Sequence, residues 1–372
     1  MRGKFGIVAG LSVVSLLAAA CGSSSSGTSA STSPSSSAPA VAAKFKACMV
    51  TDTGGIDDKS FNQSSYEGLT EAAAADSNVT AQYLPSTTTA DYASNITAFI
   101  NDKCGIIVTV GFLMGAATSK GATANPGTKF AIVDFPQSEL TPTPEKNVDA
   151  LTFNTVQDGF LGGYLAAGMT KTKKVATFGG QKLSTVTIYM DGFWDGVQYY
   201  NSQHHTNVQV LGWNEKTQKG SFVGNFTDLT AGQRLTTTFI SEGADIIFPV
   251  AGGVGLGAMK AIQDADNADG TQKVNALWVD TDGCVSAAEF CKYFISSVEK
   301  GIQTAVKNAV LSAAKGTFKG GNYVGTLANG GVTLAPYHDF ASKVPAALQA
   351  ELATIKTGIE NGSIKTPTKS PV

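Results

Sequence analysis

Residues 45–63 read Phe45-Lys46-Ala47-Cys48-Met49-Val50-Thr51-Asp52-Thr53-Gly54-Gly55-Ile56-Asp57-Asp58-Lys59-Ser60-Phe61-Asn62-Gln63. A short β-rich run over Phe45–Asp52 ends in a carboxylate and opens into a polar loop whose glycines permit tight turning. Ser60 or Asn62 then offers a cap for a helix. Phe61 has two readings. It folds into the core beneath that helix, or it presents an aromatic face beside amide and carboxylate groups, a setting that suits a planar heterocycle.

The same unit recurs along the chain. Strands are expected at Val79–Pro85, Gly105–Gly111, Phe130–Phe135 and Leu151–Thr155, with helices between the first four. A second series follows at Lys174–Gly180, Val208–Asn214, Asp245–Ala251 and Ala276–Asp280. Two successive β/α series predict an α/β protein with two doubly wound parallel sheets. Ligands in such sheets bind beyond the carboxyl ends of the strands. Asp52, Gly111, Asp134, Gly180, Gly252 and Asp280 stand at those ends, so the sequence predicts a cleft between two lobes.

The 372 residues are 42% hydrophobic and 15% charged with 41 glycines. That length suggests about two domains, and the composition excludes disordered, collagenous and coiled-coil chains. With 27 Lys+Arg against 29 Asp+Glu, no basic surplus exists to neutralise a nucleic-acid backbone. At the N-terminus Arg2 and Lys4 precede an apolar run, Ile7–Ala20, that is too short for a membrane span of about 20 residues. Residues 1–20 read as a signal peptide. Leu17-Ala18-Ala19-Ala20-Cys21 resembles a bacterial lipobox, in which the cysteine is diacylated, with Ala18 where that pattern has Leu. From Gly22 to Ala43 every residue except Val41 is Gly, Ser, Thr, Ala or Pro. Residues 21–43 are thus an anchor cysteine and a flexible tether, and the globular part begins near Lys44.

Four cysteines remain after Cys21, an even number in an exported chain. Cys48 lies in the first expected strand and Cys104 just before the third. If those strands are neighbours, a Cys48–Cys104 bridge follows, leaving Cys284–Cys291 to close a short loop; four buried thiols are the alternative. Signatures of catalysis are absent: there is no nucleophile elbow, Walker loop, His-Glu-x-x-His or Cys-x-x-Cys. The three histidines, His204, His205 and His338, form no metal set. Gly253-x-Gly255-x-x-Ala258 imitates a dinucleotide fingerprint but comes late in the chain, and a glycine turn approaching any ligand explains it equally well. Asp264, Asp266 and Asp269 imitate a calcium loop with the third acid one place late; a solvated acidic turn is the simpler reading.

The loop Asp52–Gln63 resembles the signature of the basic membrane protein family of substrate-binding lipoproteins, the purine nucleoside receptor A-like proteins. The resemblance continues through Val110-Gly111-Phe112, Lys129–Asp134, Leu161–Ala167, Gly192-Phe193-Trp194-Asp195-Gly196, Ala251–Gly255, Val279–Asp282, Ser297–Lys300 and Leu334–Asp339. It implies a type I periplasmic-binding-protein fold, two doubly wound parallel-sheet lobes joined by a hinge. Crossings are expected near Asn154, Gly283 and Gly331, giving an N-terminal lobe of residues 44–154 plus 283–331 and a C-terminal lobe of 155–282 plus 332–372.

The resemblance also implies a monomeric, non-enzymatic receptor, lipid-anchored on the extracytoplasmic face of the cell membrane, that delivers a purine nucleoside to an ABC transporter permease without a cofactor or metal. Phe61 would be one face of an aromatic sandwich around the base. Tyr189, where the family usually has Phe, would be the other, with Phe193 or Trp194 as substitutes. Asn62 and Asp134 would bond the base edge. Asp52, Asp280 and Lys300 would hold the ribose, and Gly252 would allow close backbone approach. The role of Asp282 stays open, and the alternative for Lys300 is a surface ion pair. Other readings of the chain are a receptor for another small polar ligand, such as a sugar or signalling furanose, and an extracytoplasmic nucleoside hydrolase. The hydrolase would need a calcium site that the sequence does not assemble. A sensory role remains compatible with the same fold.

Overall fold

The computed structural model describes residues 44–142, 146–267 and 270–370. The signal segment 1–20, Cys21 and the tether to residue 43 lie outside the described residues, as does Asp269. Lys44 opens a β/α series of β1 (Phe45–Val50), α1 (Phe61–Ala75), β2 (Val79–Leu84), α2 (Asp91–Asn101), β3 (Ile106–Val110), α3 (Gly115–Ala124), β4 (Lys129–Val133) and β5 (Val148–Phe153). Ile106-Ile107-Val108-Thr109-Val110 is buried along its whole length, as a parallel strand covered on both faces must be. Helix α2 buries Tyr92, Ile96 and Phe99, a helical spacing that turns one stripe toward the sheet.

A second series follows: α4 (Val156–Met169), β6 (Lys174–Gly179), α5 (Ser184–His204), β7 (Gln209–Leu211), β8 (Trp213–Asn214), β9 (Lys219–Gly220), α6 (Leu229–Ser241), β10 (Ile246–Val250), α7 (Val254–Asn267), β11 (Asn275–Asp280), α8 (Gly283–Ser286) and β12 (Phe294–Lys300). The chain then returns through α9 (Ile302–Ala314) and β13 (Gly321–Gly325) to the first sheet, and through β14 (Val332–Leu334) and α10 (Ala346–Glu360) to the second. The two six-stranded sheets have the orders β13-β5-β4-β3-β1-β2 and β14-β12-β11-β10-β6-β7. Every pairing within them is parallel except β12 with β14.

Two expectations are corrected here. The crossing expected near Gly283 falls instead at Gly301, because Phe294–Lys300 forms a strand that pairs with β11 in the second sheet. Residues 283–300 therefore belong with the C-terminal lobe. The strand expected over Val208–Asn214 is broken at Gly212, which has φ +80°, so β7 joins the large sheet and β8 pairs only with β9.

At the crossings the backbone ties itself together. Asn154 N–H donates to the Gly325 carbonyl at 2.8 Å and Gly301 N–H to the Gly331 carbonyl at 2.8 Å. Cys48 is bonded to Cys104 (Cα–Cα 6.0 Å) and Cys284 to Cys291 (4.5 Å); the first pair follows from the adjacency of β1 and β3.

Gly159, Gly163, Gly192 and Gly196 serve close packing of α4 on α5, while Gly162 lies against Val298 and Leu277 of the sheet. A Cβ on Gly159 would sit 2.7 Å from the Tyr189 carbonyl oxygen, and one on Gly196 would press on the Phe160 carbonyl. That contact fixes the depth of Tyr189 in the molecule. Gly255, in the dinucleotide-like stretch, does the same work: a Cβ there would meet the Trp278 ring at 2.9 Å, so packing accounts for this glycine. Asp264 pairs with Lys260 at 2.7 Å, and Asp266 accepts from the Lys273 amide. No described helix is long and apolar enough to cross a membrane.

Candidate functional site

The carboxyl ends of the strands in both sheets face one cavity whose space of about 600 Å³ is partly open to solvent. Asp52, Phe61, Asn62, Asp134, Tyr189, Gly252, Asp280 and Lys300 all line it. Gly111 lines it as well, whereas Gly180 does not; Gly180 lies beneath the Phe226 ring, which enters the cavity in its stead. Phe193 is fully buried and packs on Phe248 at 5.3 Å. Trp194 lies under Lys216. Neither lines the cavity, so neither substitutes for Tyr189 there.

Asp134 and Asp280 leave their strands with φ +62° and +69°, the left-handed region that a short polar side chain tolerates better than a branched one. Lys300, the last residue of β12, reaches from the second sheet to the first: its Nζ lies 2.5 Å from Oδ2 of Asp134 and 3.5 Å from Oδ1 of Asp280. The side chains of Lys300 and Asp134 are 3% and 7% exposed, which corrects the surface-ion-pair alternative. Burial pulls the Lys300 ammonium down, and Asp134 and Asp280 together overcome it and hold the group above its ordinary value. The same ammonium stands 5.2 Å from the centroid of the Phe61 ring and 5.0 Å from that of Tyr189, distances at which a cation is attracted to an aromatic face.

Asp280 collects donors from three elements. Ser60 Oγ donates to Oδ2 at 2.8 Å and the Tyr189 hydroxyl to Oδ1 at 3.1 Å, with Lys300 beside it. Three donors around one carboxylate fix its orientation. Burial and the charge of Asp280 drive the Tyr189 phenol well above its usual range, so it stays a donor. Asp52 accepts from the Thr53 amide at 2.6 Å and makes a short contact with the Tyr92 hydroxyl. Burial raises its carboxyl against those bonds. Gly111 at φ +111° leaves the room this carboxylate occupies.

The loop leading into α1 is capped differently from the sequence expectation. Neither Ser60 nor Asn62 caps the helix with its side chain; Asp58 accepts from the amides of Ser60, Asn62 and Gln63 at 3.1, 2.9 and 3.0 Å. Ser60 is thereby freed to reach Asp280. Burial pushes the Asp58 carboxyl up to about 6. Asn62 turns its amide to the Thr53 carbonyl at 3.4 Å, while its own carbonyl oxygen is buried without a described partner. Asn62 lines the cavity beside carboxylates, one ammonium and the hydroxyl-bearing Thr53, Thr185 and Tyr189.

The same loop grips the opposite lobe. The Lys59 carbonyl accepts from Trp278 Nε1 at 2.9 Å and Ser286 Oγ at 2.8 Å, and Lys59 adopts φ +59°. These contacts and the Lys300–Asp134 pair span the two sheets, so the conformation is closed.

Sequence reasoning missed Asp58, Phe226, Thr185 and the direct role of Ser60. Asp58 had a readable signal, an acid just ahead of a helix start; Phe226 had none, since its place depends on Gly180. Asp282 lies outside the cavity, where it caps α8 through the Cys284 amide and pairs with His338 at 2.6 Å. His204 pairs with Glu351 at 3.1 Å.

Two α/β lobes closed over a cavity that sets carboxylates and one ammonium among aromatic and aliphatic walls define the class of solute-binding proteins with the type I periplasmic-binding fold. A profile of the family described as ABC transporter substrate-binding protein PnrA-like matches residues 45–367, and the chain belongs to that family. It is 31% identical over 365 residues to a CD4+ T-cell-stimulating antigen of Listeria monocytogenes, covering 95% of each chain. It is 29% identical over 343 residues to the ABC transporter nucleoside-binding protein BmpA of Lactococcus lactis, covering 88% of this chain and 91% of that protein. Among solved structures, a solute-binding protein of an ABC transporter system from Aeropyrum pernix superimposes with a TM-score of 0.75 at 23% identity, covering 87% of this chain and 94% of the other. The protein is an ABC transporter substrate-binding protein: it binds a small ligand and works with permease components.

Proposed function

We propose that this chain is a receptor for purine nucleosides, lipid-anchored through Cys21 on the extracytoplasmic face of the membrane, that hands its ligand to an ABC permease. The observation that carries the reading is the convergence of Phe61 and Tyr189 with Asp280 and Lys300 in one cavity. Two aromatic rings suit a flat base, and a carboxylate held beside an ammonium suits the vicinal hydroxyls of a ribose. Asn62 and Asp134 would bond the base edge, with Asp52 sharing the sugar and Gly252 allowing the backbone close. The name of the Lactococcus lactis relative supports the same ligand class.

The magnitudes are sufficient. Hydrogen bonds to charged groups contribute about 1.5–3 kcal/mol each and stacking about 1–3 kcal/mol per base. A dissociation constant of 1 μM corresponds to about 8.2 kcal/mol, which a few such contacts reach after ordering costs. Substitution Asp280→Ala tests the site: the protein should keep its fold by circular dichroism and lose nucleoside binding. Unchanged affinity would remove Asp280 from it. Membrane partitioning of the full chain, abolished by Cys21→Ser, tests the anchor.

A further inference from the structure

Helix α5 has a second polar face behind the cavity wall. Thr185, Val186 and Tyr189 line the cavity, whereas Thr187 and Asp191 stand two residues to either side of Tyr189, roughly 200° around the helix. Asp191 is fully buried. Its Oδ1 accepts from Trp213 Nε1 at 3.0 Å and Gln218 Nε2 at 2.9 Å, both in the β8–β9 hairpin. Its Oδ2 accepts from the Thr368 hydroxyl at 2.7 Å, the Ser370 hydroxyl at 3.1 Å and the Lys369 amide at 3.3 Å.

The last three donors belong to a segment beyond α10 that joins neither sheet. Ile364 roots it by packing on Gly358 and donating its amide to the Gly358 carbonyl at 2.9 Å. Pro367 fixes a backbone dihedral of the segment and so lowers the entropy lost on docking. Ser370 is 4% exposed, and its hydroxyl also meets Thr187 Oγ1 at 2.7 Å. Lys369 Nζ donates to the carbonyls of Glu215 and Lys216 at 3.2 and 2.7 Å. A stretch without regular structure is thus held by polar contacts, three of which converge on one carboxyl group.

Asp191 thereby ties this segment to two elements that build the cavity wall. Helix α5 carries Tyr189. The hairpin runs on through Phe222, whose ring stands 5.9 Å from that of Trp213 and lies against Gly179, to Phe226 in the wall. We propose that Thr366–Ser370 is a strap docked on Asp191, that Asp191 is a positioning residue which with this strap sets the rings of Tyr189 and Phe226 from behind, and that ligand affinity depends on the strap staying docked. The contact of those rings with a nucleoside rests on the proposed function; the docking of the strap and its effect on the wall do not. Without the strap, Oδ2 of Asp191 loses its three donors and Thr187 loses its tie to Ser370. The first turn of α5, which has no side-chain cap, then depends on fewer contacts to hold its place.

A chain ending at Lys365, labelled with ¹³C in its tyrosine rings, tests the positioning without any ligand, with Tyr189 assigned through Tyr189→Phe. Its Tyr189 signals should differ from those of the full chain, and a peptide of residues 364–372 added to it should return them to the full-chain positions. The same peptide carrying Thr368→Val and Ser370→Ala should not. Tyr189 signals untouched by the truncation overturn the positioning role, and full restoration by the variant peptide overturns the assignment to Asp191. Where the truncated chain does not fold, the full chain carrying Thr368→Val and Ser370→Ala replaces it: its Tyr189 signals should move, and unmoved signals overturn the proposal.

Inosine titration of the same proteins reads the consequence for binding. Loss of the strap should weaken binding about tenfold, and the unaltered peptide should restore it. Equal inosine affinity of the full and truncated chains overturns the dependence of binding on the strap. If the Tyr189 signals respond as stated and neither chain binds inosine, the nucleoside reading alone is refuted.

Discussion

Lys300 and Asp134 belong to different sheets, yet Nζ and Oδ2 meet at 2.5 Å with both side chains buried. A buried pair that bridges two lobes links closure to the charge state of the site.

Replacing Lys300 by Met should leave Asp134 and Asp280 without their shared cation and destabilise the protein by about 3–5 kcal/mol. Adding Asp134→Asn should restore part of that loss, because one orphaned charge disappears. Thermal unfolding of the two single variants and the double variant measures the coupling; strictly additive effects would mean that the pair contributes nothing as a pair.

The Lys59 carbonyl and its two donors make a latch independent of the ion pair. Trp278→Phe and Ser286→Ala each remove one hydrogen bond of about 1 kcal/mol. Together they should shift the unliganded protein toward an open form, read as an increase in radius of gyration by small-angle scattering. A double variant as compact as the wild type would show that the latch does not hold the lobes.

The legible and illegible parts of this site divide by distance along the chain. Asp52, Asp134 and Asp280 were visible because a polar residue ending an apolar strand is a local pattern. Lys300 was placed by resemblance only, because Ser296 and Ser297 interrupt the apolar run Phe294–Lys300 and hide a strand that the structure buries between β11 and β14. The same oversight placed the second crossing at Gly283 instead of Gly301. The two readings of Phe61 are not exclusive, since its ring packs against the core and also lines the cavity. Phe226 was invisible because it owes its position to Gly180 and to a loop with no regular period.

Tyr189→Phe should keep the ring and lose only the hydroxyl that donates to the Asp280 carboxylate, reducing nucleoside affinity by about tenfold, the lower end of the worth of one hydrogen bond to a charged group, because the loss reaches the ligand only through Asp280. Tyr189→Ala removes the ring, worth about 1–3 kcal/mol by stacking, and should weaken binding further. Equal losses in calorimetric titration of the two variants would assign Tyr189 a polar role in place of a stacking one.

Glu299 provides a pH signal outside the cavity. Burial and the nearby Asp282 push its carboxyl up to about 7, partly offset by His338. A raised native pKa means that stability falls as pH increases from about 4.5 to 7, since the native state holds the extra proton. Glu299→Gln should remove that slope and stabilise the protein at pH 8 relative to the wild type, by about 1–3 kcal/mol. Parallel pH profiles of denaturant midpoints for the two proteins would contradict this.

The most direct test of the receptor reading is isothermal titration of residues 44–372, unfolded and refolded to strip carried-over ligand, against inosine, guanosine, adenosine, cytidine and ribose. The account predicts tight binding confined to the purine nucleosides, at or below about 1 μM. A refolded, natively folded protein that binds none of them, or that binds ribose as tightly as inosine, would contradict it.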